Sequence, residues 1–336
     1  MKATTTFLLT AACLLLIVGC KKKDNAATEV KEVETETAMT DSTSVVTVVE
    51  DTVPADAQLR THVQKAFLRS AVKSVRLRSF EAEDRYGKIT KGKERESSEA
   101  TYMGEPGDNY LIKYDKKGRE IERITFRIDQ PNLEYKNFRT YDGEGRLKRV
   151  RSTMIDNETG SGDPGGWTDY LYNAKGQNHI TNQYDGNGDL YVKFVNKYDE
   201  KGNLIQDTQY AAFRDGELFN LSRYKYDANN NQIENAIGGG EGEVWSVHTY
   251  QYDAAGRPIK HRWETDGNTF HDETIYTYDT DGNLTKEYIR YMDDGAEKEY
   301  EYTYKYKFDD RGNWIECIRS RYGVPKTIQT RKIDYY

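Results

Sequence analysis

Residues Lys197–Gln206 read KYDEKGNLIQ, and the chain returns to this phrase: KYDKKGREIE from Lys113, QYDAAGRPIK from Gln251, TYDTDGNLTK from Thr277. It starts at Tyr114, Tyr141, Tyr172, Tyr184, Tyr198, Tyr226, Tyr252, Tyr278 and Phe308; with Tyr184 set aside, the spacings are 27, 31, 26, 28, 26, 26 and 30 residues. A period of that size marks a repeat architecture. The chemistry is local. An aspartate at the first position of a type I turn accepts hydrogen bonds from backbone amides further on. A glycine three residues later takes the left-handed conformation that closes a hairpin through a G1 bulge. Asp115 with Gly118, Asp142 with Gly145, Asp199 with Gly202, Asp253 with Gly256, Asp279 with Gly282 and Asp309 with Gly312 fit this pattern. In YDANNNQIE, Asn230 replaces the glycine, and asparagine tolerates positive φ next best.

A second turn falls midway through most units, as at Arg214–Glu217, Thr265–Asn268 and Asp293–Ala296. Each unit is thus two strands and two turns. In EKEYEYTYKYKFD, Tyr300, Tyr302, Tyr304, Tyr306 and Phe308 alternate with Glu301, Thr303, Lys305 and Lys307, a period of two with one aromatic and one solvated face. The expected fold is all-β: an antiparallel meander of long hairpins forming an open curved or spiralled sheet of about sixteen strands, closed only by a short N-terminal helix and strand cap. A membrane-spanning barrel would need a lipid-facing apolar row on every strand, and the face opposite the tyrosines carries Lys, Glu, Thr and Arg.

The N-terminus, MKATTTFLLTAACLLLIVGCKKKDN, has a short apolar run from Phe7 to Val18 that suits a secretory signal and is too short to span a bilayer. Ile17-Val18-Gly19-Cys20 resembles the lipobox of bacterial lipoproteins. The resemblance implies cleavage after Gly19 and lipidation of Cys20. The reading that competes with it is an ordinary signal with a chance cysteine. Residues 20–57 contain no aromatic residue and read as a disordered tether, with Lys21–Lys23 at the membrane. Residues 58–109 read as a cap: Leu59, Val63 and Phe67 have helical spacing behind Asp56, and Val72 to Phe80 reads as a strand. Residues 110–336 are the repeat array. Net charge is −7, so a nucleic-acid partner is not expected, and the heavy use of Tyr, at 27 residues, favours strands. Once Cys13 leaves and Cys20 is lipidated only Cys317 remains; in NWIECIRS it reads as a buried strand residue rather than a nucleophile.

With the repeats aligned, YDGEGRLKRV at Tyr141 resembles the YD repeat of the RHS family, and YDEKGNLI, YDTDGNLT and FDDRGNWI are similar to RHS-like lipoproteins of Bacteroidota. The resemblance implies a lipid-anchored protein of the bacterial cell envelope, placed at the outer membrane on an undetermined face, and in that group sugar binding. RHS shells enclose a C-terminal toxin; here the array runs to Tyr336, and a closed cocoon is not expected at this length.

No reaction is legible. The five histidines are scattered, although His248 and His261 can fall on neighbouring strands. The loops Asp279-x-Asp281-Gly282-Asn283 and Asp185-x-Asn187-Gly188-Asp189 look superficially like calcium loops without the closing glutamate of an EF-hand. No metal, cofactor or catalytic residue is therefore assigned. The tyrosine rows read either as core cover or as an exposed platform for sugar rings, with Tyr276, Tyr302 and Tyr304 as the platform residues. The function read from the sequence is a non-catalytic envelope binding module, for carbohydrate; the alternative is a structural or protein-binding envelope scaffold. Asp41-Ser42-Thr43 and Asp51-Thr52-Val53 look like O-glycosylation acceptors of that phylum, at Ser42 and Thr52.

The anchor is directly testable. Cys20→Ala should abolish acylation and move the protein from the membrane to the soluble fraction. Unchanged fractionation, with no acyl-cysteine in the wild type by mass spectrometry, would remove the lipoprotein reading.

Overall fold

The computed structural model describes residues 68–95, 109–128, 130–212, 216–240, 242–265 and 269–336. Cys20, Ser42, Thr52, the signal, the tether and residues 56–67 of the expected helix lie outside the described residues; residues 68–71 are not helical.

The strands follow the turns. β1 (Val72–Arg85) folds back into β2 (Lys88–Glu94), and β3 (Asn109–Tyr114), β4 (Glu120–Phe126), β5 (Leu133–Tyr141) and β6 (Leu147–Asp156) follow. After the short β7 (Gly162–Asp163) come β8 (Trp167–Tyr172), β9 (Asn178–Tyr184), β10 (Leu190–Tyr198), β11 (Leu204–Ala211), β12 (Glu217–Tyr226) and β13 (Gln232–Gly238). The last run is β14 (Ser246–Tyr252), β15 (Pro258–Thr265), β16 (Thr269–Tyr278), β17 (Leu284–Asp293), β18 (Ala296–Phe308), β19 (Trp314–Arg321) and β20 (Val324–Tyr335). Neighbours pair antiparallel throughout, with β8 joined to β6 beside β7.

The expectation of an open sheet is overturned at β1. Leu77 faces Tyr110 of β3 on one side and Arg331 of β20 on the other, so the first and last strands join. Of the 20 strands among the described residues, β2 and β7 only flank β1 and β6, leaving eighteen in a closed antiparallel barrel. Closure removes both free edges, which an open sheet would have to cover. Val72–Arg85 is thus a stave of the wall itself rather than a cap on an open edge.

Burial separates the two faces. On β18, Tyr302 and Tyr304 are buried while Glu299, Lys305 and Lys307 are exposed. The tyrosine side is the inner face. Near the seam Leu68, Val72, Val75, Leu77, Tyr110, Ile112 and Tyr114 form one apolar cluster with Trp314, Ile333 and Tyr335 packed on it. The outer face is laced with cross-strand ion pairs, among them Arg149–Asp169 at 2.5 Å, Lys225–Glu234 at 2.8 Å, Lys260–Glu273 at 2.8 Å and Lys307–Glu316 at 2.6 Å. Each such pair contributes at most about 1 kcal/mol. Together they make a wall suited to water, unlike the apolar band of a membrane-spanning barrel. No helix among the described residues is long and apolar enough to cross a membrane.

The phrase forms a belt of hairpins at one end of the barrel. Each copy carries a bulge just before its aspartate, as at Lys113/Tyr114 and Thr277/Tyr278. Gly118, Gly145, Gly202, Gly256, Gly282 and Gly312 have φ between +72° and +88°, and Asn230 stands at +63°. At Gly282 an added Cβ meets nothing nearer than Arg257 at 3.5 Å, so the backbone conformation, not crowding, demands glycine. Gly282→Val should therefore cost about 1–2 kcal/mol or more, and Gly282→Asn distinctly less. Urea denaturation of both variants checks the order; equal losses would contradict it.

Candidate functional site

The turn aspartates are fully engaged. Asp115 Oδ1 accepts the backbone N–H of Lys117 and of Arg119, both at 2.9 Å, and Oδ2 accepts Arg119 Nε at 2.8 Å. Burial alone would raise the Asp115 pKa, but these bonds, with the Arg119 charge, hold it below the usual carboxylate range. Asp142 and Asp253 repeat the arrangement with Arg146 and Arg257. In two copies where asparagine follows the glycine its Nδ2 donates to the same oxygen, at 2.9 Å in Asn203–Asp199 and in Asn283–Asp279, whereas at Asp309 the Tyr335 hydroxyl takes that place. Arginine and asparagine are thus two solutions to one bond.

The tyrosine of the phrase ties each unit to the one before it. Tyr172 donates to the Leu147 carbonyl at 2.8 Å, Tyr226 to Leu204 at 2.8 Å, Tyr252 to Gln232 at 2.7 Å and Tyr278 to Pro258 at 2.7 Å. In each of these the acceptor lies five residues after the preceding turn's Asp, and Tyr198 likewise reaches Asn178, five residues after Asn173. Phe308 lacks the hydroxyl, and Tyr306 donates to Leu284 in its place, at 2.9 Å. These side chains are structural.

The exposed-platform expectation is corrected by burial. Tyr276, Tyr302 and Tyr304 are 5%, 3% and 9% exposed. They face inward: Arg319 lies over the Tyr302 ring at 3.6 Å, and the Tyr304 hydroxyl donates to Glu287. Period-two alternation identified their face correctly but did not show that ring closure would bury it. Cys317 is likewise buried, packed with Tyr302 and Tyr304.

Two groups of residues come together that the repeat did not announce. On the inner face of β14–β16, His248 Nδ1 and His261 Nε2 are 3.0 Å apart, Ser246 Oγ lies 3.3 Å from His248 Nε2, and His271 Nδ1 lies 3.2 Å from Asp272 Oδ2. Trp263 stacks on His248, lies tilted against His271, and donates Nε1–H to Ser246 Oγ at 2.7 Å. Burial, then the charge of His271, lowers the His248 pKa to about 4; burial, then His248, lowers that of His261 to about 3. Imidazoles so depressed are weak bases, and Ser246 gains little from them as a nucleophile. Among the described residues no three His, Cys, Asp or Glu side chains converge on a metal position.

The second group is a cleft of about 400 Å³ at the end of the barrel opposite the belt, lined by Ser152, Trp167, Thr168, Gln183, Tyr184 and Tyr191, with Gly166 and Asp185 at its edge. Trp167 and Tyr184 stack with centroids 4.9 Å apart and planes 17° from parallel, and Tyr191 is 52% exposed. The chain can come this close only because residue 166 is glycine: a Cβ there would sit 1.8 Å from the Tyr184 carbonyl oxygen. Asp163-Pro164-Gly165-Gly166 and Tyr184-Asp185-Gly186-Asn187-Gly188 were the available signals in the sequence.

No protein-family model matches the chain, and no curated protein matches it. Among solved structures it is similar to a porin-like protein from Bacteroides uniformis, at 12% identity and a TM-score of 0.41, covering 79% of this chain and 98% of that one. It is also similar to the TcdB2–TccC3 structure without its hypervariable C-terminal region, at 15% identity and a TM-score of 0.27, over 66% of this chain and 14% of the other. A Photorhabdus luminescens Tc holotoxin pore gives 14% identity and a TM-score of 0.21, over 66% and 15%. These scores do not establish a shared fold, and the YD repeat remains a resemblance of sequence.

The histidine pair predicts an acid response. An unfolded histidine titrates near about 6.5, so between that pH and about 4 the unfolded chain binds more protons than the folded one, and stability falls as pH drops through this window. Asp272, raised by burial, works the other way: it favours the fold as it protonates below its raised pKa. Between pH 7.5 and 4.5 a His248→Gln/His261→Gln variant should lose less stability than wild type, by up to about 5 kcal/mol, since each imidazole contributes about 1.4 kcal/mol per pH unit below about 6.5. Equal losses by urea denaturation would assign the acid response to other groups.

Proposed function

We propose that this chain is a non-catalytic binding module of the bacterial cell envelope, held at the membrane through lipidated Cys20, that takes carbohydrate in the Trp167–Tyr184–Tyr191 cleft. The observation that carries the reading is an open cleft with two stacked aromatic rings and a third, half-exposed ring beside them. A pyranose presents apolar C–H faces that stack on such rings, while its hydroxyls bond polar groups at the margin. Gln183, Asp185, Thr168 and Ser152 supply both donors and acceptors there. The charged outer wall supports an envelope protein that stands in water beside a membrane rather than within it.

Tyr191 is the residue to change, because its exposure makes loss of fold unexpected. On a broad glycan array the full-length protein in neutral detergent should bind at least one glycan, and Tyr191→Ala should weaken that binding by about 1 kcal/mol, or roughly fivefold. If wild type binds no glycan, the carbohydrate reading fails and the alternative, a structural or protein-binding scaffold, replaces it.

A further inference from the structure

The outer face at the ring-closing seam departs from the ion-pair pattern of the wall. Arg76 of β1 stands directly opposite Lys332 of β20, and Arg78 follows two residues later on the same face, opposite Thr330. Like charges facing each other across a ladder oppose pairing. The nearby counter-charges are already shared. Glu94 is held by Arg78, through Nε at 2.9 Å and through Nη2. Glu94 and Glu134 act on Arg76 only at longer range. The Arg76 guanidinium lies over the Phe126 ring at 3.5 Å, which fixes its plane, and its Nη1 is buried without a hydrogen-bond partner. Lys332 is exposed. Arg76, Arg78, Thr330, Arg331 and Lys332 line a cavity of about 460 Å³ between them.

We infer that this cavity is an anion site for a phosphate or sulfate group. A tetrahedral oxyanion seated there would accept the free Arg76 N–H, the Lys332 ammonium and the Thr330 hydroxyl. It would also relieve the repulsion between Arg76 and Lys332 at the junction that closes the barrel. Burial of Arg76 and the neighbouring Arg78 charge both disfavour its protonated form, and a bound anion offsets both. In a chain of net charge −7 such a cationic pocket is a local exception, and long-range attraction of anions to the rest of the surface does not explain it. The site is on the outer wall and is independent of the aromatic cleft.

Because a ligand that binds only the closed barrel stabilises it, the melting temperature reads the site. The full-length protein in neutral detergent is heated with sodium phosphate or sodium sulfate, against chloride at matched ionic strength. In a second arm the micelles are doped with an anionic phospholipid or with phosphatidylcholine. The inference expects a rise in melting temperature, with half-saturation about tenfold weaker in Arg76→Gln and in Lys332→Gln and unchanged in Lys305→Gln, a control elsewhere on the outer face. A rise with the free anions assigns a soluble phosphate or sulfate; a rise only in the doped micelles assigns a lipid headgroup. No rise in either arm, or an equal rise in wild type and in the exposed-site variant Lys332→Gln, overturns the site.

Discussion

One bond organises this barrel: the tyrosine hydroxyl that reaches from each repeat to a backbone carbonyl of the repeat before it. A hairpin stabilised by its own turn is marginal in water. The Asp turn fixes the register of each hairpin, since its carboxylate accepts the backbone N–H groups two and four residues on. The tyrosine then fixes each hairpin against its neighbour. Its acceptor sits just after the preceding turn, where the bulge has left the ladder irregular. The bond therefore satisfies a carbonyl and buries a ring in one step. In three copies an arginine also lies over the next unit's tyrosine, at 4.4 Å for Arg119 over Tyr141, 4.6 Å for Arg146 over Tyr172 and 4.9 Å for Arg257 over Tyr278. The same arginine bonds its own aspartate, so turn, neighbour and ring are joined through a single side chain.

A ring built this way has a problem at its seam, where the last repeat has no successor. The C-terminus and the chain ahead of β1 solve it. Tyr335 donates to Asp309 and accepts Asn313 Nδ2 at 2.7 Å, standing where the next repeat's tyrosine would be. Tyr336 donates to the Tyr114 carbonyl at 2.5 Å and so reaches the first repeat. Asn313 also exchanges two bonds with the Arg69 backbone, at 2.6 and 3.0 Å. Three segments that are distant in sequence thus complete the belt. The apolar cluster around Leu77 lies beneath them, and the seam is among the best-buried parts of the wall.

The local part of this structure was legible because it is written locally. Asp and Gly at fixed spacing specify a turn without reference to the rest of the chain, and alternation specifies two faces. Ring closure is different in kind. The pairing of Val75 with Ile333 or Leu77 with Arg331 joins residues more than 250 positions apart, and neither stretch carries the repeated phrase. The same gap explains why Tyr276, Tyr302 and Tyr304 read as a platform: a face open in a sheet becomes the inner wall of a barrel. Trp167, Tyr184 and Tyr191 escaped notice for the opposite reason. They stand at strand ends beside the irregular mid-unit turns, which vary in length and sequence, so no period singles out Trp167 or Tyr191, and Tyr184 stands out only as a copy of the phrase that falls outside the period. The glycines that let the two turns touch were visible, but not their partner strand.

The charged outer wall constrains how such a barrel can work. A barrel with an apolar girdle needs no other attachment to a bilayer; one ringed by Lys–Glu and Arg–Asp pairs gains nothing from lipid and would lose the hydration of every pair on entering it. For an envelope protein of this construction, attachment has to come from outside the wall. An acylated cysteine ahead of a long polar segment, as proposed for Cys20, would supply that without altering a single stave. The proposed anchor at Cys20 is compatible with the polarity of the outer face. At the belt end the aspartates and tyrosines are committed to holding the ring. The irregular end is free of that duty, and it is there that the stacked aromatic cleft lies.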